Sequence, residues 1–182
     1  MKKILFSSLI AATVIITVLS TLFVAPYLST VGGVGAPPHT ANGTFYWPRD
    51  VALNSTGYIF VADTQNSRGQ IFNASGTFIT TFGFPGNSQT DGSLNQPFGL
   101  FVNSSNFIHV ADTFTNVLKV YDPNGNYVKT IGSPGQGLNN YYYPSGWTGN
   151  STHFFVADTF NNRIIITDLS GNSVAQIPEV VP

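Results

Sequence analysis

An internal repeat extends over most of this sequence and restricts the folds that it can adopt. The pentapeptide FVADT at residues 60–64 recurs as HVADT at 109–113 and as FVADT at 155–159, so the spacings are 49 and 46 residues. A proline opens each copy: Pro48, Pro97 and Pro144. A repeat of this length is typical of solenoids and propellers, in which each unit buries its apolar surface against the next.

Each copy is predicted to form four short strands. The first strand covers residues 51–53 of the first copy, the second 58–62 and the third 70–72, while the fourth is clearest at 127–131. Turns such as Asp122-Pro123-Asn124-Gly125 separate β-branched runs, as in hairpins. The second strand is apolar on both faces, which fits a sheet packed between two others. The pattern predicts an all-β fold of three four-stranded antiparallel sheets.

The third copy carries the most specific motif, FVADTFNNRI at residues 155–164. Together with the opening proline and an Asp-x-x-Gly turn, it resembles the NHL repeat of β-propellers. The resemblance implies three NHL-type blades within residues 41–182, at about 47–83, 96–132 and 143–177. The loops at 83–86 and 132–137 resemble NHL inter-blade loops. The middle copy departs from the pattern, because it has Val117 where the other copies have Arg68 and Arg163.

Three blades are fewer than a closed propeller uses, which is about 4–8. Two blade faces are therefore predicted to be open, although residues 40–47 could add one further strand. Two chains could pair into a six-bladed ring, the arc could stack on itself or on a partner, or it could remain open. The predicted association surface comprises Ile59, Val61, Phe154, Val156, Ile166 and Thr167.

The N-terminus is predicted to be a hydrophobic helix within residues 1–25. Lys2 and Lys3 precede the uncharged run Ile4–Ala25, which would span about 33 Å as a helix against a hydrocarbon core of about 30 Å. We expect a signal-anchor or transmembrane helix; a cleaved signal peptide and a helix packed inside a polymer are the alternatives. The two lysines predict that the rest of the chain lies outside. Residues 26–40, rich in glycine and proline, are predicted to be a linker.

An aspartate occupies the fourth position of each pentapeptide: Asp63, Asp112 and Asp158. A ring of carboxylates at a propeller axis would bind a cation. Alternatively, each aspartate caps the turn after its strand and accepts hydrogen bonds from backbone N–H groups or from the nearby arginine, Arg68 or Arg163. We expect the structural role, because the repeat itself requires one such aspartate per unit.

Five Asn-x-Ser/Thr sequons are candidate N-glycosylation sites: Asn42, Asn54, Asn73, Asn103 and Asn150. Three of these asparagines fall at the same turn of successive copies. The turn preference of asparagine and serine explains the repetition without glycans, whereas an extracellular location would make the asparagines acceptors in a host that glycosylates them. The aromatic run Tyr141–Tyr143 suits protein or sugar binding, or an apolar plug between blades.

Charge and residue chemistry exclude several function classes. The net charge is −1, and after Pro37 there are five Lys/Arg against eight Asp/Glu, so nucleic-acid binding is not expected. Without cysteine, the chain has neither a thiolate zinc site nor a cysteine nucleophile. Because His109 and His153 occupy non-equivalent positions, we expect no metal site, no cofactor and no catalytic residues.

The NHL resemblance implies an interaction platform. We therefore expect a membrane-anchored protein, in contact with the membrane through residues 4–25, whose repeat domain binds at the cell surface without catalysis. Cleavage of the N-terminus would make it secreted. The expected partners are a second copy, another surface protein or a glycan. The alternative is a structural subunit of a cell-surface filament, pilus-like fibre or surface layer. A lyase or lactone hydrolase on a propeller scaffold is a further alternative, disfavoured by the scarcity of acid–base residues.

Overall fold

The computed structural model describes Gly32 and residues 39–178, which form three four-stranded antiparallel sheets in succession. Blade 1 comprises β1 (Asp50–Leu53), β2 (Ile59–Asp63), β3 (Arg68–Phe72) and β4 (Phe78–Phe82). A short parallel pair, β5 (Phe84–Pro85) and β6 (Ser93–Leu94), leads to the next sheet. Blade 2 comprises β7 (Leu100–Val102), β8 (Ile108–Asp112), β9 (Val117–Tyr121) and β10 (Tyr127–Ile131).

A second parallel pair, β11 (Ser133–Pro134) and β12 (Asn140–Tyr141), connects blade 2 to blade 3. Blade 3 comprises β13 (Pro144–Gly149), β14 (Phe154–Asp158), β15 (Arg163–Thr167) and β16 (Ser173–Ile177). The strands of every blade are paired in chain order. The predicted all-β fold of three four-stranded antiparallel blades is thereby confirmed.

The register of the strands repeats from blade to blade. Asp63 pairs with Arg68, and Asp112 and Asp158 pair with Val117 and Arg163 in the same way. Each third and fourth strand also share a register shift near the turn that joins them. Residues at the same position of the repeat therefore lie at the same position of their sheets, so equivalent residues of different blades can be compared directly.

Alternation along the strands gives each blade two apolar faces. The forward face points toward the next blade in the chain and the back face toward the preceding one. The forward face of blade 1 packs on the back face of blade 2 in one core cluster: Phe60, Ala62, Ile71 and Phe82 against Leu100, Ile108, Val110 and Tyr121. The forward face of blade 2 packs on blade 3 likewise: Ala111, Leu118, Val120 and Ile131 against Trp147, Phe154, Val156 and Ile165.

The N-terminal predictions concern residues that mostly lie outside the described part of the chain. The predicted span Ile4–Ala25 and nearly all of the linker at 26–40 are among them. Among the residues that the structure describes, none of the helical segments has the length and hydrophobicity of a membrane span. Residues 40–47 do not form the further strand that the sequence allowed; Thr44 alone makes an isolated bridge.

Candidate functional site

Each repeated aspartate is fully buried and joins its blade to the segment that precedes the blade. In blade 3, Oδ1 of Asp158 accepts the backbone N–H of Tyr142 at 2.7 Å, and Oδ2 accepts Nδ2 of Asn161 at 2.8 Å and Nε of Arg163 at 2.7 Å. Asp63 of blade 1 is held in the same way by Tyr46, Asn66 and Arg68. Arg68 and Arg163 therefore pair with the aspartates of their blades, as the sequence analysis expected.

The backbone partner differs from the one that the sequence predicted. The N–H groups belong to the loop before the blade, and the turn after Asp63 or Asp158 has no side-chain capping bond. The physical reason is that the carboxylate lies at the end of the second strand, where the incoming loop crosses it. Among the described residues, no group of three or more histidines and carboxylates is placed to hold a metal ion.

The middle blade replaces the missing arginine with a lysine two residues later. Lys119 lies on the same face of β9 as Val117, because strand side chains alternate. Its buried Nζ lies 3.1 Å from Oδ2 of Asp112 and donates to the carbonyls of Ser88, at 2.6 Å, and Ser93. The Asp–cation pair is thus present in all three blades, and Lys119 is a structural residue that the sequence comparison missed.

Two hydrogen bonds, here called the inter-blade clip, join each of the first two blades to the opening proline of the next blade and to the residue before that proline. Between blades 1 and 2, Thr64 Oγ1 donates to the carbonyl of Pro97 at 2.7 Å, and the N–H of Gln96 donates to Ser67 Oγ at 3.2 Å. Between blades 2 and 3, the corresponding bonds join Thr113 to Pro144 at 2.8 Å and Tyr143 to Asn116 at 2.6 Å. The threonine that ends each pentapeptide is therefore an inter-blade residue, a role that its repetition alone could have suggested.

The forward face of blade 3 is the main candidate functional surface. It consists of the residues equivalent to the buried forward faces of blades 1 and 2: Phe155, Ala157, Ile164, Ile166 and Ile177. No described residue forms a blade over it. Ile164 is 36% exposed and Ile177 56%, whereas their equivalents Leu118 and Ile131 are buried. An apolar sheet face of this kind is a typical interaction surface.

The back face of blade 1 is only partly open. Residues 39–47 take the place of an inter-blade loop: the N–H of Gly43 donates to Oε1 of Gln70 at 2.8 Å, and Phe45 packs on Phe72 with ring centroids 5.5 Å apart. The first strand of the blade, β1, is not covered by these residues. Val51 is 60% exposed and Leu53 63%.

Four of the six residues predicted to form the association surface are buried. Phe154, Val156 and Thr167 are buried on the back face of blade 3, toward blade 2. Side chains alternate between the two faces of a strand, so these three residues lie on the face opposite the open one. Val61 is buried because it lies beside Gln70, which residues 43 and 44 cover. Ile59 and Ile166 are half-buried on the two open faces.

A groove of about 610 Å³ lies between the turns of blades 2 and 3. His109 lies against it, 4% exposed and stacked on Phe101 with ring centroids 4.5 Å apart. One ring nitrogen, Nε2, is 3.1 Å from Nδ2 of Asn103, while Nδ1 is buried without a partner among the described residues. Burial lowers the pKa of His109 to about 4, and the positive charge of Lys129 contributes to the lowering. The ring is therefore neutral at pH 7.

The predicted glycosylation asparagines mostly form turns. Oδ1 of Asn54, Asn73, Asn103 and Asn150 accepts backbone N–H groups two to four residues ahead. Asn42 is different, because its Oδ1 accepts from Arg68 at 3.2 Å. Asp122 and Asp168 make the same turns as Asn73 in blades 2 and 3. The repetition of asparagine thus has a local structural cause, and glycosylation stays a prediction.

The three tyrosines before Pro144 have separate environments. Tyr141 is fully buried between blades 2 and 3, Tyr142 is 47% exposed, and Tyr143 stacks on Phe160 with centroids 4.4 Å apart. Tyr143 also contacts Phe114 at 5.0 Å. Tyr141 and Tyr143 thus pack between blades 2 and 3, and the aromatic cluster continues to the surface at Phe160, which is 53% exposed.

The comparisons with known proteins agree on the fold. A family model described as a 6-bladed beta-propeller, DUF5128, matches residues 98–177, which span blades 2 and 3. No curated protein matches the chain. The resemblance to β-propellers is therefore supported, while the NHL subtype is a finer assignment that these matches do not make.

Several solved structures are similar at low sequence identity. A streptogramin B lyase has a TM-score of 0.57 and 16% identity, with 77% of this chain and 41% of that chain covered. Hydrazine synthase of Kuenenia stuttgartiensis has a TM-score of 0.57 and 15% identity, covering 79% and 39%. Virginiamycin B lyase from Staphylococcus aureus has a TM-score of 0.57 and 14% identity, covering 75% and 42%. These matches describe the fold alone, and the chain spans about two fifths of each of those proteins.

Proposed function

We propose that this protein is a membrane-anchored NHL-type half-propeller at the cell surface, which acts by binding rather than by catalysis. The observation that carries the proposal is the uncovered forward face of blade 3. Its five apolar residues repeat a pattern that is buried wherever a following blade is present. Covering such a face contributes about 25 cal/mol for each Å² of apolar surface removed from water.

The anchoring part of the proposal rests on the sequence. The uncharged run Ile4–Ala25 is long enough to span a bilayer, and Lys2 and Lys3 favour an inside N-terminus. The blade-count part rests on the match of residues 98–177 to a six-bladed family model, of which three blades would be half.

A structural subunit of a cell-surface filament is the second candidate. One observation favours it: the chain carries an open forward face at one end and an exposed inner strand, with Val51 and Leu53, at the other. A head-to-tail contact between such ends gives a ring if its rotation closes and a filament if it does not.

Surface exposure is tested with a membrane-impermeant amine reagent on intact cells. Lys129 is the suitable probe, because Lys119 is buried and Lys2 and Lys3 precede the predicted span. We expect mass spectrometry to map the label to Lys129 without lysis, and Lys129→Arg to remove that site. Labelling of Lys129 only after lysis would contradict the proposed orientation.

Binding through the forward face is tested on the same cells with a photoreactive phenylalanine analogue at position 164. The matched control places the analogue at position 128, because Val128 is also an exposed aliphatic residue (46%) but lies in blade 2, which carries neither open face. We expect a discrete cross-linked product from position 164 and none from position 128. Equal products from both positions, or no product from either, would overturn the binding proposal.

A further inference from the structure

We propose that the partner of the open forward face is a second copy of this chain, and that two copies close a six-bladed ring. The inference rests on the proposed function and names the occupant of the same surface. It derives from the repeat itself, since the two junctions inside the chain show which groups a third junction of the same kind would need.

The apolar residues that a third junction, between blade 3 of one copy and blade 1 of the other, would need are present on those two blades. At the first junction, Ala62 shares a core cluster with Leu100, and at the second, Ala111 shares one with Trp147. The equivalent forward residue of blade 3 is Ala157, and the equivalent back residue of blade 1 is Val51. Val51 is 60% exposed, whereas Leu100 and Trp147 are buried.

The hydrogen-bonding groups of a third inter-blade clip are also divided between blade 3 and the segment before blade 1. Thr159 is equivalent to Thr64 and Thr113, but it is exposed, and its hydrogen bonds within the described part of the chain are to Ala157 and Ser145 of its own blade. Its missing acceptor is the carbonyl of Pro48, which is exposed where Pro97 and Pro144 are buried. Each end therefore holds one half of a hydrogen bond that both internal junctions complete.

The second bond of the clip is divided in the same way. Asn162 takes the place of Ser67 and Asn116, and the N–H of Trp47 takes the place of those of Gln96 and Tyr143. Trp47 shares even the left-handed backbone of its equivalents, with φ of 50° against 48° and 58°. Four groups that match in kind and position are a more specific signal than apolar exposure, and they favour a second copy over an unrelated protein.

The predicted contact also has a spectroscopic signature. Tyr143 lies against Phe114 at the second junction, with centroids 5.0 Å apart. The equivalent pair at the third junction is Trp47 of one chain and Phe160 of the other. Trp47 is 65% exposed in the single chain and Trp147 only 5%, so ring closure changes the environment of Trp47 alone.

A six-bladed arrangement would give a ring of two, and the six-bladed family model that matches residues 98–177 supports that blade number. In a six-bladed propeller each blade turns by about 60° relative to its neighbour, so three blades complete a half-turn. A second copy related by a two-fold axis along the centre then meets both ends at once.

The test measures the molar mass and tryptophan emission of the purified full-length chain in a mild detergent, with the detergent contribution subtracted. We expect twice the chain mass and a blue-shifted Trp47 emission that reverts on dilution. Ile164→Asp should give a single-chain mass and a red-shifted emission while keeping the β-sheet circular dichroism. The matched control Val128→Asp, in blade 2, should remain at twice the chain mass, and Trp47→Phe should remove the dilution-dependent emission change.

Three results would overturn this inference. They are a single-chain mass at all concentrations, a doubled mass that Ile164→Asp leaves unchanged, and a series of larger masses, which indicates a filament. A single-chain mass together with a cross-linked product from position 164 on cells would refute the second copy as partner and leave the binding function intact.

Discussion

Lys119→Ala is expected to lower the free energy of unfolding by about 3–5 kcal/mol, the cost of leaving one member of a buried ion pair without its partner. Nζ of Lys119 is the only cation within 4.0 Å of the Asp112 carboxylate in the described residues, and it also satisfies the carbonyls of Ser88 and Ser93. Urea denaturation followed by tryptophan fluorescence measures the change.

Two further variants separate charge pairing from side-chain packing. Lys129→Ala is the matched control, because the hydrogen bond that Lys129 makes among residues 39–178, to the carbonyl of Ser170, is exposed; we expect a change within about 0.5 kcal/mol. Lys119→Met combined with Asp112→Asn removes both charges, so the double variant should lose less stability than Lys119→Ala. A loss from Lys119→Ala no larger than that from Lys129→Ala would contradict the role assigned to Lys119.

Acidification is expected to destabilise the protein through His109. The unfolded imidazole binds a proton near pH 6.5, while burial keeps the folded ring neutral down to about pH 4. Between these values the unfolded state binds more protons, so stability falls as the pH falls from about 6.5 to about 4. At about 1.4 kcal/mol per pKa unit, the loss attributable to His109 is about 3 kcal/mol.

His109→Phe isolates this contribution from the other titrating groups. Phenylalanine is the residue at the same position of the other two copies, Phe60 and Phe155, and it preserves the stacking on Phe101. We expect the variant to lose about 3 kcal/mol less than the original chain between pH 7 and pH 4. Parallel stability–pH curves for the two proteins would show that His109 is not buried as described.

The internal repeat is enough to predict most of the fold. The opening prolines and the pentapeptides define three equal units, and alternation within them predicts four-stranded sheets. Strand ends such as Leu53 and Ile131 are at the predicted positions. Local sequence is sufficient here because each blade is a meander in which consecutive strands pair.

The open surface is harder to predict, because a blade that is apolar on both faces offers two alternations of equal hydrophobicity. Phe154 and Phe155 are adjacent and similar, yet Phe154 faces blade 2 and only Phe155 faces the open end. The direction in which the chain adds successive blades determines which of the two faces is covered, and the sequence of a single strand does not encode that direction. The cover over Val61 likewise depends on where residues 43–46 lie, a long-range property of the chain.

If two chains close a ring through their opposite ends, Val51 of one chain lies near Ala157 of the other, and a cysteine at each position reports that contact. The chain has no cysteine, so Val51→Cys and Ala157→Cys introduce the only thiols. A short bis-maleimide added to the double variant should give a single covalent product of two chains, with no such product from either single variant. A ladder of three or more chains, or equal cross-linking of the single variants, would contradict the ring.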